Sequence, residues 1–436
     1  MKDAELIIQT NYIVTVNSEF DILKNHCLII NQGIIEAILP NEQTQYTSNT
    51  IVDKTKHIVM PGLINAHNHA AMSLLRGYAD DLPLFTWLNE HIWPAEGKWV
   101  NDEFVYTGTQ LAIAEMLKGG TTTFSDQYFF AEDCAKAVDQ SGIRAQIAPP
   151  VIDFPNNWAK DAQDHIQKTL SLADQYKSHD RIQIAFGPHA PYTVSDQPLT
   201  DILELSKQHN LPIQMHIHET EFEVNDAMEK SGKRPIERLK DLGLLNSNLQ
   251  AVHVTQLNAQ EISWFAEHNV HIVHCPESNL KLASGMCPVF DLLEAGVNVC
   301  LGTDGAASNN NLDMFSEMRT GALLAKGVSK NATAVSARQA IEMATINGAK
   351  ALQMDAKIGS LEIGKQADLC IIDTQSLNHA PMYNIASALV YNTSAHQVSD
   401  VYVNGVCLMQ NNTLLSIDEP SLMQTVLSWQ DKLSQQ

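Results

Sequence analysis

The chain has 436 residues, 44% hydrophobic and 18% charged, with 50 acidic residues against 28 lysines and arginines and a formal net charge of -22. This is the composition of a folded globular protein, long enough for one barrel-sized domain and a smaller one, and it excludes the disordered class. The acidic balance, with no lysine or arginine cluster to override it, argues against nucleic acid polymers and anionic membrane surfaces as partners.

The opening MKDAELIIQTNYIVTVN carries acids where a signal peptide needs a basic stretch. No apolar run reaches the roughly 18 residues of a membrane span, so a cytoplasmic location is expected. Residues 1–58 read as short strands, since ELIIQTNYIVTVN, HCLIINQGIIEAIL and IVDKTKHIVMPG hold β-branched residues and turn signals without a helical period. Next, PGLINAHNHAAMSLLRG sets a Pro-Gly turn before a short apolar run that ends in His67 and His69. Alternate side chains of a strand share a face, so these two imidazoles project together with only Asn68 between them. Beyond this point apolar strands alternate with amphipathic helices. LINAHNH, TTTFSD, RAQIAPPVID, RIQIAFGPHA, PIQMHIHE, LQAVHVT, NVHIVHCPESN and NVCLGTDG read as strands. FVYTGTQLAIAEMLKGG, PLTDILELSKQHN, PIERLKDLG and ISWFAEHN read as helices between them. About eight such units predict an α/β fold, a (β/α)8 TIM-type barrel, with active residues at the C-terminal strand ends; an open doubly wound sheet is the alternative. The barrel is expected over 59–358. GSLEIGKQADLCIID and VSDVYVNGVCLM return to strand, glycine turn, strand, so 359–436 is expected to join 1–58 in a small β-sandwich domain. Seven scattered cysteines (Cys27, Cys134, Cys275, Cys287, Cys300, Cys370 and Cys407), without a C-x-x-C pair, read as reduced buried thiols rather than a disulfide framework or a thiolate metal site.

Nearly every predicted strand ends in a residue that can do chemistry. His67 and His69 close the first, His189 the fourth, His216 the fifth, His253 the sixth and Asp304 the eighth. A catalytic zinc site takes three or four nitrogen and oxygen ligands and leaves a place for water, and His67, His69, His216 and Asp304 would supply them. Such an ion lowers the pKa of water towards about 7, and Glu219, just past the fifth strand, is the candidate proton shuttle. Each residue also has a plain reading. A histidine near a strand end is commonly a satisfied polar residue, Asp304 in TDG suits a turn, and Glu219 in HETEFEVND suits a solvated helix start. His216 and His218 share a face by the same alternation, and spacing alone leaves the choice between them open. His271 and His274 fall on opposite faces and read as structural. The functional reading gains from coincidence, because several strand ends point to one pocket.

PGLINAHNHAAMSLLRG, HIHET, AVHVT, CPESNLKLASG, LGTDGAASNNNLDMFSEMR and the closing GSLEIGKQADL resemble the amidohydrolase superfamily, and within it the deaminases of methylthioadenosine and S-adenosylhomocysteine. The likeness covers nearly the whole chain. It implies a mononuclear zinc (β/α)8 enzyme with a flanking β-sandwich, acting on a small-molecule nucleoside. His67, His69, His216 and Asp304 would then bind one Zn2+ per subunit, His216 being preferred to His218 because the family spaces ligand histidine and catalytic glutamate by three. Fe2+ or Mn2+ would accept the same ligands. The resemblance makes Glu219 a proton shuttle that bonds the ring nitrogen beside the reacting carbon, and sets His253 with Asp304 to orient and polarise the attacking hydroxide. Glu96 would accept from the ribose hydroxyls and His189 would bind substrate; without the likeness Glu96 reads as a surface acid. Trp87, Leu88 and Trp93 suit either an apolar wall near the nucleoside or helix core. The implied reaction is hydrolytic deamination of the adenine ring to the inosine analogue and ammonia. Some relatives place arginines after the third strand to clamp the carboxylate of S-adenosylhomocysteine, whereas PPVIDFPNNWAKDAQDH has none, so methylthioadenosine is the expected substrate and S-adenosylhomocysteine or adenosine weaker ones. Guanine or other aminopurine deamination, and triazine hydrolysis, are the alternatives within the superfamily, and a non-catalytic scaffold is the alternative outside enzymes. GPHAPY ends the fourth strand without the lysine that bridges binuclear sites, so one metal is expected. A homo-oligomer is a family expectation only.

Overall fold

The apolar runs between Leu63 and Leu301 form eight largely buried strands in a computed structural model that describes residues 2–435. They are β1 (Leu63–Asn68), β2 (Thr121–Asp126), β3 (Arg144–Ile147), β4 (Ile182–Ile184), β5 (Ile213–Ile217), β6 (Leu249–His253), β7 (His271–His274) and β8 (Asn298–Leu301). Two four-stranded sheets result, in the orders β1-β2-β3-β4 and β5-β6-β7-β8, and every pairing within them is parallel. Ala145 lies opposite Phe124 and Ile182, and Ala251 opposite Met215 and Ile272. A parallel bridge between Phe186 and Ile213 leads from the first sheet to β5. At the other seam the Asp304 amide donates to the His67 carbonyl at 3.1 Å. Parallel neighbours need crossover connections, and helices supply them.

Three of those helices shape the site: α1 (Trp93–Trp99), α2 (Asp102–Lys118) and α3 (Ala131–Ser141). Asn101 starts α2 by accepting the Phe104 amide on its side chain at 2.9 Å, and Gly119 and Gly120 end it, Gly120 at φ +82°. On its inner face a Cβ at Gly108 would lie 2.3 Å from the Ala71 carbonyl oxygen. Only glycine lets α2 press so closely on the segment that follows His67 and His69. After β5 come α4 (Glu221–Ser231) and α5 (Pro235–Asp241).

The two ends of the chain share one nine-stranded sheet, in which Ile51–Pro61 pairs antiparallel with Leu369–Asp373 and Val59 lies opposite Ile371. Leu6, Ile8, Leu28, Ile35, Leu369 and Tyr402 belong to a core of its own. GSLEIGKQAD does not extend that sheet as expected, since the strand begins only at Leu369. The last segment is also not strands alone: Glu419–Leu433 is helix α6, started by Asp418, which accepts the Ser421 amide at 3.1 Å. Its Trp429 ring meets Phe104 of α2 edge-on at 5.3 Å, so this part of the chain packs on the α/β layer. All seven cysteines are free, and six of them are buried.

Candidate active site

His67 is buried inside β1, whereas His69 stands one residue past its end at the start of a short 3-10 turn. Each of the three imidazoles that converge there gives its Nδ1 proton to an oxygen. His67 donates to Gln214 Oε1 at 2.8 Å, His69 to the Gln127 carbonyl at 2.6 Å and His216 to the His189 carbonyl at 2.7 Å. Their Nε2 atoms are therefore aimed at one volume: His67 Nε2 lies 3.1 Å from His216 Nε2, and Asp304 Oδ1 lies 3.5 Å from His67 Nε2 and 3.3 Å from His69 Nε2. Burial pulls His67 down to about 4 and His216 well below its usual value. Two bare lone pairs cannot bond each other, so their approach calls for a cation between them. Burial also opposes a proton on His69, but the hydrogen bond to the Asp304 carboxylate and its charge prevail and lift it to about 9. For Asp304, burial works in the other direction, but the hydrogen bond from His69 and its charge outweigh it and hold the carboxyl well below its ordinary range. Three imidazole nitrogens and a carboxylate oxygen, each fixed from behind, fit the donor set of zinc.

Asp304 itself is tightly held. Its backbone lies in the left-handed region at φ +63°, its Oδ2 accepts from Ser278 and Ser308 hydroxyls at 2.6 and 2.7 Å, and its Oδ1 accepts from the Gly305 amide at 2.8 Å. His253, ending β6 at φ +72°, is hydrogen-bonded through Nδ1 to Asn279 Oδ1 at 2.8 Å. Its Nε2 lies 3.8 Å from Glu219 Oε2. Non-glycine residues with positive φ are uncommon and collect at functional sites. Burial first, and the nearby Asp304 charge second, push Glu219 up to about 8; the Ser284 hydroxyl donates to it at 3.3 Å.

These groups open on a cavity of about 460 Å³ that His189, Glu96, Trp87, Leu88 and Trp93 also line. His189 pairs through Nδ1 with the Thr193 hydroxyl at 3.0 Å, and burial lowers it to about 3. Glu96, on α1, is half-buried rather than a surface acid; it accepts the Tyr128 hydroxyl at 2.6 Å, and burial raises its pKa. Trp87, Leu88 and Trp93 are cavity wall, and Trp87 is buried as well. Phe129, Phe154 and Trp158 continue that wall, and among the described residues no lysine or arginine lines it.

The backbone sets His216 and His218 apart. At φ +52° His218 leaves the strand alternation, and its ring bonds the Gln256 carbonyl and the Ile236 amide, away from the cluster. His274 is buried and takes no place in the cluster. Sequence reasoning passed over Gln214, Tyr128, Asn279, Ser278 and Ser308. Gln214 had a signal, since it stands two residues before His216 on the same face of β5.

The amidohydrolase family model matches residues 58–408. A 5-methylthioadenosine/S-adenosylhomocysteine deaminase of Saccharophagus degradans is 49% identical over 435 residues, spanning 99% of this chain and 98% of that protein. A 5'-deoxyadenosine deaminase of Methanosarcina acetivorans is 42% identical over 421 residues, spanning 97% and 96%. The crystal structure of an adenosine deaminase from Xanthomonas campestris with bound zinc superposes with a TM-score of 0.98 at 44% identity, covering 99% of both chains. With a family match over most of its length and near-complete overlap with these relatives, the chain belongs to the amidohydrolase family.

Proposed function

We propose that the protein is a zinc-dependent hydrolase that deaminates the adenine ring of 5'-methylthioadenosine, and more weakly of S-adenosylhomocysteine or adenosine, to the inosine analogue. The convergence of His67, His69, His216 and Asp304 beside the buried acid Glu219, in a cavity that also holds Glu96, carries this reading. It agrees with the names of the relatives that match the full chain. The two parallel quartets are read as one (β/α)8 barrel spanning 59–358. The sheet made by 1–58 and 359–436 is read as a β-sandwich, because the Ala367 amide reaches back to the Gly33 carbonyl at 2.8 Å and folds one end over the other. Free, unpaired cysteines support a cytoplasmic location. Among the described residues no helix is long and apolar enough to cross a membrane.

In this reading the four ligands hold one divalent ion, which supplies Lewis acidity and so brings a hydroxide nucleophile within reach at neutral pH. The rest of the chemistry falls to side chains. Glu96 accepts from the ribose hydroxyls with the carboxylate oxygen that Tyr128 leaves free, and so sets the purine's depth in the cavity. Glu219, raised to about 8 by burial and by the Asp304 charge, is suited to carry a proton at neutral pH. It gives that proton to the ring nitrogen beside C6 as oxygen bonds to C6. It then takes the proton of the new hydroxyl and passes it to the amino group, whose bond to C6 breaks with loss of ammonia. His253 faces the same point and steadies the attacking oxygen through Nε2. A cavity wall without lysine or arginine offers no partner to an amino-acid carboxylate, which favours the short apolar thiomethyl tail.

Turnover of methylthioadenosine, S-adenosylhomocysteine, adenosine and guanine, compared side by side in zinc-loaded protein through the change in purine absorbance, tests the proposal. Fast loss of the amine from methylthioadenosine, slower loss from S-adenosylhomocysteine and none from guanine is expected. No turnover of any of the four, in protein shown to carry one metal per chain, would refute the substrate assignment.

A further inference from the structure

Two of the three converging imidazoles are oriented by backbone carbonyls, which can only accept. His67 is different, because its Nδ1 proton goes to a side chain, Gln214 Oε1, at 2.8 Å. An amide side chain can turn over and present its nitrogen instead, so something must fix which end faces His67. Gln214 Nε2 faces the Ala66 carbonyl at 3.0 Å, the Ser125 hydroxyl at 2.9 Å and Gln250 Oε1 at 2.8 Å. Gln250 is oriented in turn, since its own Nε2 donates to the Ala351 carbonyl at 2.8 Å. The result is a one-way relay of donors, from His67 through Gln214 and Gln250 to a carbonyl that cannot donate back. Gln214 and Gln250 are fully buried, at a level of the strands where barrels ordinarily pack branched aliphatic side chains. Buried amides of this kind are tolerated only when hydrogen-bonded, and packing alone gives no reason for them.

We propose that Gln214, held by Gln250, is the positioning residue that determines which nitrogen His67 turns toward the metal, so that zinc affinity is set partly from beneath the site. The inference rests on the reading of His67 as a ligand. Gln214→Met keeps the side-chain length while removing both amide ends. The measurement is the zinc dissociation constant, by competition with a chromophoric chelator, alongside the melting temperature of zinc-free protein. Groups that orient ligands typically account for about 10- to 100-fold in affinity, and a loss of that size is expected in Gln214→Met. Gln250→Met removes one of the three groups that hold the Gln214 amide, leaving the Ala66 carbonyl and the Ser125 hydroxyl, and a smaller loss is expected there. A dissociation constant within about threefold of the parent in Gln214→Met would overturn the inference, whatever happens to the melting temperature, because a purely structural role moves only the latter. Should Gln214→Met fail to fold, unchanged affinity in Gln250→Met overturns it. A parent protein that binds no zinc would instead refute the metal site itself.

Discussion

Glu219 is followed by three more acids within seven residues, Glu221, Glu223 and Asp226, yet it is 8% exposed. Glu223 explains the difference: its carboxylate accepts the backbone amides of His218 and Glu219 at 3.1 and 2.8 Å, which turns the chain inward just before α4. Among the described residues Glu219 does not belong to the groups that could hold an ion, and the imidazole nitrogen it approaches, at 3.8 Å, is that of His253 rather than of His67, His69 or His216. Glu219→Gln should therefore lower kcat by about 10²- to 10⁴-fold, the range for loss of a general acid-base group, with zinc content unchanged. Metal analysis beside the rate measurement checks this, and joint loss of zinc and activity would make Glu219 a support for the ligands instead. Strand alternation was enough to pair His67 with His69 and to place His216 near them, because side-chain direction in a strand follows from position alone. It could not separate His216 from His218, since the choice lies in one backbone torsion that no residue type announces. Tyr128 and Asn279 were illegible for another reason: their partners, Glu96 and His253, lie far away in sequence.

At the level of elements, the same torsion gives His218 a second task. Its Nε2 accepts the Ile236 amide, in the first turn of α5, at 3.2 Å, while its Nδ1 donates to the Gln256 carbonyl at 3.2 Å. This geometry requires a neutral ring, and burial first, Arg234 second, lower its pKa to about 3. A folded pKa below the unfolded value of about 6.5 means that the contribution is whole above that pH and is lost as pH falls toward the folded value. By pH 4.5 the loss amounts to roughly 2–3 kcal/mol. His218→Gln has no such titration, so its deficit in melting temperature relative to the parent should shrink between pH 7 and 4.5; a constant gap would show that the ring is not held neutral. The strands and helices of the α/β layer were readable because burial on both faces leaves continuous apolar runs in parallel strands. Helix α6 was not, although Asp418, Glu419 and Pro420 form a start signal. Its buried face is narrow, with Leu422, Trp429 and Leu433 the buried residues, so the helical period is faint in EPSLMQTVLSWQDKL.

Across the whole molecule, 50 acidic residues outnumber 28 basic ones, and the imbalance continues into the cavity, whose charged lining consists of Glu96, Glu219 and Asp304 besides the histidines. A 5'-phosphate carries a charge of about -1.5 to -2 at neutral pH, and burying it against this wall would leave it unpaired. The same purine and the same sugar would thus be accepted or refused according to phosphorylation alone. AMP, supplied at a concentration that saturates the protein with methylthioadenosine, is expected to be neither deaminated nor inhibitory; measurable competition would show that the wall tolerates a dianion. With no lysine or arginine along the cavity wall among the described residues, the protein is expected to act as a filter on the state of the adenine pool, accepting detached nucleosides and leaving their phosphorylated forms untouched.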